Sequence, residues 1–329
     1  MSIDLDNPEI LKQIATAIRD NIDIYAQNTY DGGHRKHLGA SIIGNDCSRA
    51  LWYTFRWIYH KKYEGRMQRL FQRGHLEELR YTEYLRGLGF TVTDRDDSYK
   101  LYHNVNLNEY KWSNVDSSDY EYVDVTGNDE HETIAAQRGI KYPQMKVSDV
   151  NGHFGGSIDG ELQFPPTWGI PGKFLTEFKT KGTGAGFTKL KTKGVKFGAN
   201  EHWVQMCIYG RKRGYTHAVY FSTNKNDDDM HVEMLKLDWS LADDMLRKAE
   251  RVIYAKEPPQ QISKEPTNFK CSWCDYKDHC HYGAKVEVNC RSCEHASPID
   301  DGLWACSLYG SPIPDATIKT GCATHKPIV

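Results

Sequence analysis

The sequence predicts an α/β protein with a cysteine-rich C-terminal module. Two observations predict it. Strand-like and helix-like stretches alternate from residue 153 to residue 257, the pattern of a sheet flanked by helices. Seven of the nine cysteines stand at or after Cys271, in the close spacing that metal ligands adopt. The chain has 329 residues, enough for one large domain or one domain with a small appendage. Twenty tyrosines and eight tryptophans supply core material, and with a net charge of −2 they exclude a disordered chain. No apolar run reaches membrane-spanning length. The start, MSIDLDNPEILKQIATAIRDN, is acidic and amphipathic, without the basic and apolar stretches of a signal peptide. A cytoplasmic location is therefore expected, where thiols stay reduced and nine cysteines point to metal rather than disulfides.

Residues 1–30 read as a helix, with Ile10, Leu11, Ile14 and Ile18 near helical spacing. Ser48 to Leu88 also reads as helical and is basic, with nine Arg or Lys against four Glu. Residues 94–132 reverse the charge, with eleven acids against three bases, and read as strands with long loops. HFGGSIDGELQF, from His153, alternates as one strand, and PPTWGIPG is a turn. KFLTEFKTK is a second strand, and KGTGAGFTKLKTKGVKFG a flexible basic loop. EHWVQMCIYGRKRG reads as a helix, and THAVYFST and HVEMLKLD as strands. SLADDMLRKAERVIYAKE is a helix with Ser240 as N-cap and Asp243 in the capping-box position, ended by Pro258 and Pro259. The expected divisions are a helical region over 1–46, a core over 47–280 and a module over 281–329.

Three features share the middle of the chain: Asp159 in an Asp-Gly, Glu177 and Lys179 in a Glu-x-Lys, and Gln205 and Tyr209 four apart on a helix. Residues two apart on a strand share a face, so Glu177 and Lys179 project together and Phe178 turns away. Asp159, on the preceding strand, can meet Glu177 across a strand pair. Two carboxylates side by side repel unless a cation joins them, and oxygen ligands suit Mg²⁺ or Mn²⁺. A lysine beside them can orient water or stabilise developing negative charge. Gln205 and Tyr209 fall on one helix face. Taken singly each motif is ordinary; their order along the chain is the signal.

That order resembles the PD-(D/E)XK nuclease superfamily, and within it the RecB-like exonucleases, including CRISPR-associated members and their phage relatives. The resemblance covers roughly Ser41 to Cys280. It implies a restriction-endonuclease-like core, a mixed central sheet flanked by helices. It implies that Asp159 and Glu177 hold the metal, that Lys179 is the catalytic lysine, and that Gln205 and Tyr209 are the family's Gln-x3-Tyr. An upstream helix supplies a further ligand in this family. Here Glu78, four residues after Gly74, takes that place, with His75 and Glu77 as alternatives one helical turn leaves open.

Cys271-x2-Cys274-x5-Cys280 and Cys290-x2-Cys293-x12-Cys306-x15-Cys322 form two groups. The second has the four thiolates a tetrahedral zinc site needs. The first has three, and Cys47 is the candidate fourth. The resemblance implies that pairing, because iron–sulfur members place one cysteine before the core and three after it, and four thiolates suit a [4Fe–4S] cluster. Zinc in both groups, or a regrouping of Cys280 with Cys290, is the alternative, with His279, His281, His295 and His325 as substitute ligands. Cys207 reads as a core filler.

Residues 173–198 carry seven lysines against one acid. Lys181, Lys189, Lys191 and Lys193 are placed to neutralise DNA phosphates beside the Glu-x-Lys strand. Trp52, Tyr53, Phe55 and Trp57, among arginines, suit either base stacking or the core. The expectation is a metal-dependent DNA exonuclease acting on single-stranded or end-opened DNA, with 5′-to-3′ polarity by analogy. The resemblance sets it in phage recombination, replication or DNA processing in a bacterial host. The alternatives are a non-catalytic DNA-binding or scaffold protein on an inert nuclease fold, and a structure- or sequence-specific endonuclease.

Overall fold

The computed structural model describes residues 6–115 and 121–329. The readings of residues 1–5 and 116–120 lie outside the described residues. α1 (Pro8–Tyr30) begins where Asn7 accepts the Glu9 N–H at 3.0 Å and Pro8 fills the first turn. A short strand, β1 (Leu38–Gly39), precedes α2 (Ser48–Phe55) and α3 (Gly65–Gly87). β2 (Thr91–Thr93) leads to a small lobe made of β3 (Lys100–Asn104), β4 (Glu109–Ser113), β5 (Tyr122–Asp124) and α4 (Asp129–Gln137). β6 (Lys146–Asp149), β7 (Phe154–Ser157), β8 (Gly160–Gln163) and β9 (Phe174–Lys181) follow. Then come α5 (Ala185–Gly198), α6 (Asn200–Arg213), β10 (His217–Asn224), β11 (Met230–Lys236) and α7 (Trp239–Tyr254). The C-terminal part holds α8 (Phe269–Ser272), α9 (Lys277–His281), β12 (Ala296–Pro298), β13 (Trp304–Cys306), β14 (Ser311–Pro312) and α10 (Asp315–Ile318).

The largest sheet has the order β11-β10-β9-β8-β2, with β9 and β10 parallel and the other neighbours antiparallel. It is therefore mixed, and helices flank it. On one face Phe174, Phe178, Val219 and Phe221 pack with Tyr81 and Leu85 of α3. On the other, Leu175, Ala218 and Tyr220 join Trp203, Val204 and Ile208 of α6 in the main core. A second sheet, β1-β7-β6, pairs β1 with β7 in parallel, so the segment before residue 47 contributes a strand. Among the described residues no helix is long and apolar enough to cross a membrane.

Several local expectations are corrected. The stretch 153–164 is two strands in two sheets, because the chain leaves the second sheet at Ile158 and enters the first at Gly160. The basic loop is largely α5, since Phe187, Leu190 and Val195 bury one face; Gly194, at φ 67°, kinks it. Glu233 accepts the Val195 N–H at 2.8 Å and restarts the helix. The Ser48–Leu88 stretch is two helices, separated by residues 56–64 and a left-handed Trp57 at φ 53°. The N-cap of α7 is Asp238, whose carboxylate accepts the Leu241 N–H at 3.0 Å, and not Ser240. Trp52, Tyr53, Phe55 and Trp57 are all at most 2% exposed, so they are core and not stacking surfaces.

Candidate active site and cysteine groups

β9 carries Leu175, Glu177 and Lys179 toward α6, as strand alternation requires. Glu177 is fully buried. Asp159 stands in the link where the chain changes sheets, and its Oδ2 accepts the Phe178 N–H at 2.9 Å. Lys179 Nζ lies 3.4 Å from the same oxygen, forms an ion pair with Glu177 Oε1, and donates to Phe178 O at 3.2 Å. Apart from Lys179, no described residue donates to either oxygen of Glu177. Glu78, on α3, pairs with His75 at 3.5 Å, and its charge reaches Glu177. His75 feels Asp159 in turn. Glu77, 7% exposed, pairs instead with Arg80 at 2.9 Å. Asp159, Glu177 and Lys179 thus meet, with Glu78 and His75 in electrostatic reach of them.

The electrostatics follow from crowding acids in a dry place. Burial, then the Asp159 charge, pushes Glu177 up to about 8, against the pull of Lys179. Burial opposes the Lys179 ammonium, but the Glu177 and Asp159 charges outweigh it and raise its pKa. Gln205 Nε2 donates to Tyr209 Oη at 3.3 Å, and Gln205 Oε1 is buried without a partner among the described residues. Burial, then the Glu177 and Asp159 charges, raises the Tyr209 phenol. Its hydroxyl lies where a Cβ on Gly156 would stand at 2.3 Å, so only glycine fits there.

Two neighbours were missed in the sequence. His202 bonds Tyr220 Oη through Nδ1 at 2.8 Å, and burial, then Lys179 and Lys181, lowers it to about 3. Its signal was present, since His202, Gln205 and Tyr209 share one helix face. Tyr220 stands opposite Glu177 in the parallel β9–β10 register.

The lysines differ among themselves. Lys181 is half-buried, and Lys189 and Lys193 are exposed on α5. Lys191 is held by Asp229 at 2.6 Å. On α3, Arg69 pairs with Asp23, and Arg80 with Glu77 and Asp228, so part of that basic surface is already neutralised.

Cys47, at the N-cap of α2, lines one cavity of about 520 Å³ with Cys271, Cys274 and Cys280. Gln261 Nε2 donates to Cys280 Sγ at 3.3 Å. Cys290, Cys293, Cys306 and Cys322 line a second, much smaller cavity with His295 and His325. Lys326 N donates to Cys293 Sγ at 3.4 Å. All nine thiols are free, and Cys207 is fully buried in the core. Among the described residues, no three His, Cys, Asp or Glu side chains are gathered into a ready-made metal-binding group. The donor chemistry nevertheless suits metal. Glu177 offers buried oxygens with no donor but Lys179, and each cysteine set offers four soft sulfurs around one space.

No protein-family model matches the chain, and no curated protein matches it. Solved structures do. The crystal structure of LHK-Exo in complex with dAMP is 14% identical, with a TM-score of 0.37 over 66% of this chain and 86% of that one. An alkaline exonuclease (LHK-Exo) from Laribacter hongkongensis is 15% identical, with a TM-score of 0.33 over 67% and 87%. The crystal structure of SSO0001 is 13% identical, with a TM-score of 0.39 over 82% and 98%. At TM-scores below 0.5, none of these likenesses defines the family or activity of this chain.

Proposed function

We propose that the chain is a divalent-metal-dependent DNA exonuclease with its active site at Glu78, Asp159, Glu177 and Lys179. One observation carries the reading: Glu177 is fully buried beside Asp159, within reach of the Glu78 charge, with Lys179 its sole donor among the described residues. A carboxylate is not buried among like charges for stability, since each lost hydration shell must be repaid. Held by Glu78, Asp159 and Glu177, Mg²⁺ or Mn²⁺ would supply Lewis-acid polarisation of a phosphate and a more acidic water.

The chain's own residues do the rest. Asp159 is fixed by the Phe178 N–H, so its free oxygen is aimed rather than mobile. Lys179 offers its ammonium to a water or a developing phosphorane charge. Gln205 and Tyr209 wall the site from α6 and shield it from solvent. Lys181, Lys189 and Lys193 would meet the DNA backbone. In this reading Cys47, Cys271, Cys274 and Cys280 hold a [4Fe–4S] cluster, and Cys290, Cys293, Cys306 and Cys322 hold zinc. The substrate is single-stranded or end-opened DNA, in phage recombination, replication or processing.

The test is degradation of end-labelled linear DNA with Mn²⁺ by wild type and not by Lys179→Ala, with a closed circle left intact. Cutting of the circle would turn the reading to an endonuclease. Binding without cleavage would turn it to the inert scaffold.

A further inference from the structure

α1 turns its apolar face to solvent and its charged face to the protein. Its five charged residues, Glu9, Lys12, Arg19, Asp20 and Asp23, lie on one half of the helix. That half meets α3. Asp23 pairs with Arg69, a Cβ on Gly65 would collide with the Asp23 carbonyl, and Ala26 is the one buried residue of the helix. On the other half, Leu11, Ile18, Ile22 and Tyr25 are 46–63% exposed, and Ile14 is partly exposed. These five lie within about 40° of one line along the helix. A surface helix normally turns such a stripe inward, and a contiguous exposed stripe marks a contact surface.

The stripe is symmetric about its middle. Leu11, Ile14, Ile18, Ile22 and Tyr25 follow one another at intervals of three, four, four and three. Reversing the helix about Ile18 lays Leu11 on Tyr25, Ile14 on Ile22 and Ile18 on itself. A two-fold contact between identical chains requires this self-complementarity, and an unrelated partner does not. Two such stripes bury on the order of 1,000 Å², the lower end of what a stable dimer needs. A lipid surface fits less well. The charged half holds three acids against two bases, without the basic excess that draws an amphipathic helix to anionic lipid.

We propose that this face joins two copies of the chain in an antiparallel α1–α1 contact, with the two-fold axis at Ile18. The contact uses no residue of the Glu177 site, so it stands apart from the chemistry there.

Sedimentation velocity of the full chain at micromolar concentrations reads the association. The wild type is expected to be dimeric. Ile18→Glu and Ile18→Lys, each alone, weaken association by about a hundredfold or more, because like charges then meet at the axis. Mixed in equal amounts, the two variants associate again, because residue 18 of one copy meets residue 18 of the other. Ile18 is more than half exposed, so both variants keep the wild-type fold, which circular dichroism checks. Should either fail to fold, Leu11→Glu weakens the dimer and the double variant Leu11→Glu, Tyr25→Lys restores it. A monomeric wild type overturns the proposal, as does Ile18→Glu that pairs like wild type. Ile18→Glu and Ile18→Lys that fold but stay apart when mixed overturn the axis at Ile18. Flotation with phosphatidylcholine–phosphatidylserine vesicles reads the other occupant: a monomeric chain that floats with them assigns the stripe to lipid and overturns the pairing.

Discussion

Asp159 Oδ2 accepts the backbone N–H of Phe178 at 2.9 Å. The residue that separates Glu177 from Lys179 thereby fastens the third charged group of the site. Phe178 also anchors the opposite face, stacked on Tyr81 at 5.6 Å. Site and core are thus set by one strand, and substitutions in it separate function from stability.

Lys179→Ala abolishes cleavage and costs stability, least at neutral pH where Glu177 holds its proton and most in base where its charge is left without a cation. Glu177→Gln also abolishes cleavage but leaves stability unchanged or raises it. A gel assay with denaturant unfolding separates the two. Lys179→Ala that still cuts DNA removes the assignment.

Metal-free protein loses stability as pH rises. Glu177 is raised in the folded chain, from an ordinary 4.5 to about 8. The unfolded state therefore gives up this proton first, and the stability held below about 4.5 is lost through about 8. Lys179 is charged in both states across that window and does not offset the trend. Melting temperatures between these limits check it, and Glu177→Gln flattens the profile.

Gly156→Ala costs about 1–3 kcal/mol, because the new methyl meets the Tyr209 hydroxyl. Tyr209→Phe in the same chain recovers part of the loss. Denaturant midpoints of the four chains form the cycle. Strict additivity would show that the two residues do not touch.

Chain purified without oxygen absorbs in the visible range, and Cys47→Ser loses that colour together with bound iron. Cys207→Ser keeps both and loses only packing stability. Iron retained in full by Cys47→Ser would remove the long-range pairing.

Lys189→Ala and Lys193→Ala weaken DNA binding at low salt and each reduce the log–log salt slope by about 1. Lys191→Ala changes it less, because Asp229 already holds that ammonium. Titrations at several salt concentrations check this; equal effects of all three would show Lys191 on α5 released from Asp229.

The sheet was readable because β9 and β10 are runs of β-branched and aromatic residues with plain boundaries, and the face shared by Glu177 and Lys179 follows from strand alternation alone. The switch of sheets at Ile158–Asp159 was not readable, because alternation continues across it while the partner strand changes from Lys146–Asp149 to Phe174–Lys181. α5 was hidden by its glycines, whose breaking tendency is overridden when Phe187, Leu190 and Val195 find the core. The choice between Glu77 and Glu78 could not be made from spacing either. It depends on which of the two carboxylates comes within reach of Glu177, and in the fold Glu77 is instead paired with Arg80.

α2 carries Cys47 at its head and Arg56 at its foot, and Trp52 between them donates to Ala255 O at 2.9 Å. Their partners stand more than 200 residues later, at Ala255, Arg291 and Ala296. The consequence is one of timing. A ribosome releases α2 early, yet apart from β1 and His153 its packing partners, α7 and the cysteine-rich segment, come more than 180 residues later. The early segment must be kept from aggregating in the interval, and the last quarter of the chain then closes on it. A truncation that spares every residue of the site would still leave this helix without the surface it was made to fit.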